Sequence, residues 1–110
     1  MQTITYAGDE FLTGDDIADA LLAYGRALGD ENRAEIVEIP VRDGEGSIET
    51  ARFLIGPASQ IVTRPSHGAD LGDEIEDPDL VHRLRELTRN VEAPAGMPLD
   101  EVPGGVEEIE

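Results

Sequence analysis

A chain of 110 residues carrying a formal net charge of −17 has the length of one domain and room for a modest hydrophobic core. So negative a field repels phosphate backbones and anionic lipid surfaces, which argues against nucleic-acid and membrane partners and leaves a basic protein as the electrostatic complement. With no cysteine, and with arginine for all eight cationic residues, disulfides, thiolate metal sites, Schiff-base lysines and a P-loop lysine are all excluded.

No apolar run approaches the roughly 18 residues of a membrane span, and "MQTITYAGDEF" lacks the basic and apolar regions of a secretory signal, so a cytoplasmic location is expected. The charge is unevenly spread. Residues 1–50 set three arginines against twelve acids, and residues 92–110 hold six acids with no base. Between them, residues 51–69 hold Arg52 and Arg64 and no acid at all. A buried hairpin would account for that window, because an unpaired carboxylate costs several kcal/mol to bury.

"TITY" (Thr3 to Tyr6) alternates and reads as a short strand, broken by Gly8 and Asp9. The segment "FLTGDDIADALLAYGRALGD" is the clearest helix. Thr13 is its expected N-cap, with Asp16 in a capping-box position, and Leu12 with Ile17 fits the hydrophobic staple. Ile17, Leu21, Tyr24 and Leu28 form one apolar stripe, and Gly29 is the expected end.

Three strands follow. Ala34 to Val41 turns Val37, Ile39 and Val41 to one face, with Pro40 suggesting a sheet edge. Arg42 to Gly46 is turn chemistry, and Ser47 to Ile55 turns Ala51, Phe53 and Ile55 inward. Gly56 to Ser59 is a second turn before Gln60 to Pro65. After a polar loop, Ser66 to Glu76, comes a second helix from Asp77 to Val91. Asp77 is its N-cap and Pro78 its first residue, and Leu80, Leu84, Leu87 and Val91 make its stripe. From Glu92 onward the Pro, Gly and acid content predicts a flexible tail.

The expected fold is therefore α+β in β-α-β-β-β-α order. An antiparallel meander of three to four strands packs with two amphipathic helices over residues 1–91, and residues 92–110 form the tail. The helix–three-strand–helix portion is similar in element order to double-stranded-RNA-binding domains. Those domains need a basic helix end for phosphates, and here the second helix opens with "DPD".

Catalytic signatures are weak. Only His67 and His82 supply imidazoles, and no G-x-S-x-G elbow is present, so no catalytic residue is assigned. "HGADLGD" offers His67, Asp70 and Asp73 in one loop, but the spacing matches no strong metal signature, and neither a metal nor a cofactor is expected. Two surface features remain. If the last two strands form a hairpin, Arg52 and Arg64, with His67 nearby, make a cationic patch suited to an anionic ligand or partner. If the strand phase holds, Ile36, Ile48 and Leu54 lie on the sheet face opposite the core, as an apolar interface. The leading expectation is a non-enzymatic protein-interaction module binding a basic protein or a second copy of itself. The alternative is a small anionic-ligand or enzymatic domain centred on Arg52, Arg64 and His67.

Overall fold

A computed structural model describes residues 1–67 and 72–93. It is an α+β fold of five strands and two helices: β1 (Gln2–Tyr6), β2 (Asp9–Thr13), α1 (Asp15–Asp30), β3 (Glu35–Arg42), β4 (Ile48–Ile55), β5 (Ile61–Pro65) and α2 (Pro78–Glu92). All pairings are antiparallel, and the sheet order is β4-β3-β2-β1-β5. The tail expected at 92–110 lies outside the described residues from 94 onward.

The extra strand is β2, in a stretch whose Phe11 and Leu12 pass for a helix approach. Ala7 and Gly8 form a two-residue turn with positive φ at both positions, 54° and 87°. Such a turn matches strand twist and folds β2 back on β1 in full register, from Gln2 opposite Thr13 to Tyr6 opposite Asp9. Thr13 consequently ends a strand and does not cap α1. Its buried hydroxyl donates to the Pro40 carbonyl at 2.7 Å.

The N-cap of α1 is Gly14, which has no side chain to offer. Glu74 supplies the missing acceptor, its Oε2 taking the Asp15 N–H at 2.6 Å. Glycine is required there because a Cβ would collide with the Ile75 backbone carbonyl. At the other end the helix runs through Gly29, and Asn32 (φ 57°) supplies the left-handed residue that lets Arg33 N–H return to the Leu28 carbonyl at 2.9 Å. The stripe Ile17, Leu21, Tyr24 and Leu28 is buried, as the spacing predicts. In α2, Asp77 caps as expected, its Oδ1 accepting from Leu80 N–H at 3.2 Å. Leu84 and Val91 of its stripe are buried, and Leu80 and Leu87 pack partly exposed against them.

The last strand departs from a simple meander. β5 does not pair with β4; it pairs with β1 along its whole length, Gln2 opposite Pro65 through Tyr6 opposite Ile61. Strands β4 and β5 are thus the two edges of the sheet, joined only by residues 56–60. A flat sheet would hold β1 and β4 about 14 Å apart. Yet the Tyr6 and Phe53 rings stand 5.5 Å apart, Phe11 meets Phe53 at 5.0 Å, and the Tyr6 hydroxyl donates to the Leu54 carbonyl. The sheet is therefore curled about its inner face. Ile4, Val37, Ile39, Val41, Phe53 and Ile55 fill that face and α1 packs beneath, with Gly25 close to Ile55 and Ile61. β3 is an interior strand, not an edge. Its one register pair with β2 is Leu12 opposite Arg42, so Pro40 lies where β3 has run past its neighbour and a missing N–H costs nothing.

Candidate functional site

Among the described residues, no helix covers the outer face of the sheet. Its residues alternate with the core set, so Ile36, Glu38, Ile48, Thr50, Arg52 and Leu54 are exposed, while Pro40 and Arg42 are half-buried. The register places Ile36 opposite Leu54, Glu38 opposite Arg52, Pro40 opposite Thr50 and Arg42 opposite Ile48. Ile36, Ile48 and Leu54 are 59%, 56% and 62% exposed, values that put these large apolar side chains among surface residues. The phase expected from the sequence is the observed one. Val62, on β5, is exposed to the same degree and joins the set.

The backbone of β4 adds a second property. Asp43 N–H donates to the Ser47 carbonyl at 2.7 Å, which makes 43 and 47 a hydrogen-bonded pair just beyond Arg42 and Ile48. Because such pairs alternate along an antiparallel ladder, Glu49, Ala51, Phe53 and Ile55 bond to β3. Ile48, Thr50, Arg52 and Leu54 then aim their N–H and C=O groups at the free edge. The Tyr6 hydroxyl on the Leu54 carbonyl agrees with that direction. Where the two edges converge, a cleft of about 700 Å³ opens beside Leu54, lined by Ala34, Pro57, Ala58 and Val62 with Thr5 and Tyr6.

The arginine patch is arranged differently from the hairpin expectation. Arg52 and Arg64 sit on opposite edge strands, and each has an acid of its own: Arg52 lies 3.5 Å from Glu38 and Arg64 lies 3.0 Å from Glu10. Arg64 and His67 do share a shallow cleft of about 480 Å³, but with Arg42 as its second arginine. Arg42 donates to the Gly46 and Asp73 carbonyls at 2.8 and 2.9 Å, while its Nε is buried without a partner. The acid-free window thus serves two strands of different pairing, not one hairpin. Nothing in the window itself marks Arg42, which precedes it.

His82 is exposed on α2, 3.4 Å from Glu86. Asp70 of the "HGADLGD" loop lies outside the described residues, and among the described residues no group of three His, Asp or Glu could hold a metal ion. Neither described helix is long and apolar enough to cross a membrane. One ion cluster joins distant segments: the Met1 ammonium lies 3.0 Å from Asp15 and 2.8 Å from Glu74. The hydrogen bond to Glu74, followed by that to Asp15, raises its pKa above the usual 8.0. Glu74 thereby ties the chain's first residue to the start of α1. Burial likewise raises the Tyr24 phenol above 10.0. Compared with protein-family models, curated proteins and solved structures, the chain matches none.

Proposed function

We propose that this chain is a non-enzymatic protein-interaction module whose contact surface is the outer face of the sheet at β3 and β4. The observation that carries this is the exposure of Ile36 and Leu54, a facing pair at one end of the two strands, and of Ile48 towards the other end, each more than half exposed and beside a strand edge that no other strand pairs among the described residues. Burying one such side chain in a partner recovers on the order of 1.5–3 kcal/mol, so the three together are a substantial reserve of binding energy. The free groups of β4 supply main-chain hydrogen bonds in the manner of strand addition. The reading assigns no cofactor and no nucleic-acid partner, and it goes with a cytoplasmic location.

Affinity capture with the wild-type chain and with Leu54→Asp tests it, circular dichroism confirming an intact fold in both. The expected result is a specific set of bound proteins that the variant loses. Equal capture by both chains would contradict the assigned surface. Washing at high salt separates partner types: a basic protein held by charge is released, and one held by the apolar face stays.

A competing reading is a small-anion site. Arg42, which lines the cleft shared with Arg64 and His67 and whose buried Nε has no partner among the described residues, favours it. Glu10, already paired with Arg64, weighs against it. Saturable binding of inorganic phosphate, measured by calorimetry and lost in Arg64→Ala, would move the assignment to that cleft.

A further inference from the structure

The β4 edge is self-complementary, and we infer that its occupant is a second copy of this chain, paired antiparallel β4 to β4 about a two-fold axis at Ala51. The inference rests on the outer face being the contact surface and names what covers it. Directly opposed residues in an antiparallel ladder point to the same face, so a symmetric pairing must centre on a residue and not between two. Three centres are available near the middle of the strand.

Centred on Arg52, the two guanidinium groups would oppose each other directly, which is repulsive. Centred on Thr50, Ile48 would face Arg52 of the second copy and Leu54 would run beyond the paired segment. Centred on Ala51, Ile48 faces Leu54 of the second copy and Thr50 faces Arg52, twice over by symmetry. The rows then run Ile36, Leu54 and the second copy's Ile48 across the junction, and the same three residues again on the other side of the axis. All three exposed side chains are used at once. The backbone agrees, because Thr50 and Arg52 are among the residues whose N–H and C=O groups point to the free edge. At this register they exchange those bonds, Ala51 faces Ala51 as a non-hydrogen-bonded pair, and Ile48 of the second copy meets a Leu54 carbonyl that already accepts the Tyr6 hydroxyl and must share it. The cleft beside Leu54 leaves space for the incoming Ile48.

Local charge permits this occupant. Along this edge the only ionised side chains are Glu49 and Arg52, on opposite faces, and Arg52 is turned back to Glu38. Two copies of the strand therefore meet with no net charge along the edge, and what opposes them is the −17 of each whole chain. The association is weak. One eight-residue strand buries less than the roughly 800 Å² per partner of a standard interface, both copies are strongly negative, and Glu49 is set beside Phe53 of the second copy. A dissociation constant in the micromolar range or above follows, and it falls as salt screens the repulsion.

The absence of cysteine makes the register directly testable. Ala51→Cys in the full chain places two thiols across the axis, with Cβ atoms about 4.5–5.5 Å apart, close enough to oxidise with a small adjustment. Glu45→Cys, in the β3–β4 turn, would lie about 40 Å from its symmetry mate. Mild oxidation of each, read on a non-reducing gel, accompanies sedimentation of the wild type and of Leu54→Asp over a range of concentration and salt. The expected result is a concentration-dependent wild-type dimer that strengthens with salt, cross-linking of Ala51→Cys alone, and a dissociation constant about tenfold higher or more in Leu54→Asp. A wild-type chain that stays monomeric to millimolar concentration overturns the second copy as occupant, while partner capture through the same face would still stand. A dimer that survives Leu54→Asp and cross-links at Glu45→Cys but not at Ala51→Cys overturns both the register and the surface.

Discussion

Single residues hold the two helix starts by different means. Asp77 is a local cap, one carboxylate oxygen on the Leu80 amide, and Asp77→Ala should lower stability by about 1 kcal/mol. For a domain of this size that is a fall of about 4–8 °C in Tm, measured by thermal denaturation. The start of α1 depends on Glu74 and, through it, on the Met1 ammonium. A raised ammonium pKa means the folded chain holds its proton more tightly than the unfolded chain, so the stabilisation is complete below about pH 8 and is lost as pH rises through the folded value. Tyr24 acts in the same direction above pH 10.0, where its ionisation favours the unfolded chain. Denaturant midpoints measured from pH 7 upward should therefore decline, and an Nα-acetylated chain should start lower and stay flat through the first part of that window.

At the scale of elements, adjacent residues of β4 do opposite jobs. Phe53→Ala removes a ring in contact with Tyr6 and Phe11 and should cost about 3–5 kcal/mol, whereas Leu54→Asp, on the outer face, should change stability by about 0.5 kcal/mol or less. Urea unfolding of the two variants checks both. This alternation was legible in the sequence because period two needs no tertiary information, and it correctly placed Ile36, Ile48 and Leu54 outside. The helix stripes were legible for the same reason. What the sequence hid depends on contacts between distant segments. β2 reads as a helix approach until the Ala7–Gly8 turn is recognised as a hairpin, and the flanking alternation of "TITYAGDEFLT" was the available signal. Thr13 resembles an N-cap locally, but its hydroxyl is taken by Pro40, while the true cap acceptor arrives from Glu74. The pairing of β5 with β1 overrides the short connection from β4, and with it the expected meeting of Arg52 and Arg64.

Across the whole molecule, charge and shape pull in different directions. A net charge of −17 keeps copies apart and strains the compact state, while one sheet face exposes three large apolar side chains and, among the described residues, the β4 edge stays unpaired. Screening should help folding and association alike. Raising salt from about 0.01 to 1 M shortens the Debye length from about 30 to 3 Å, and Tm should rise over that range. Native proteins usually blunt an edge strand with proline, lysine or a bulge. β5 ends in Pro65, whereas β4 has neither proline nor lysine in its eight residues and carries only Glu49 and Arg52 as charges, with Ile48 and Leu54 exposed towards its ends. A lightly protected edge on a highly charged chain is consistent with use as a contact surface, the charge limiting uncontrolled aggregation. Amide hydrogen exchange, read residue by residue at dilute and at high protein concentration, tests this most directly. Thr50 and Arg52 should exchange rapidly when dilute and become protected as concentration rises, with Ala51 and Phe53 protected throughout by β3. Rapid exchange at Thr50 and Arg52 at every concentration would contradict it.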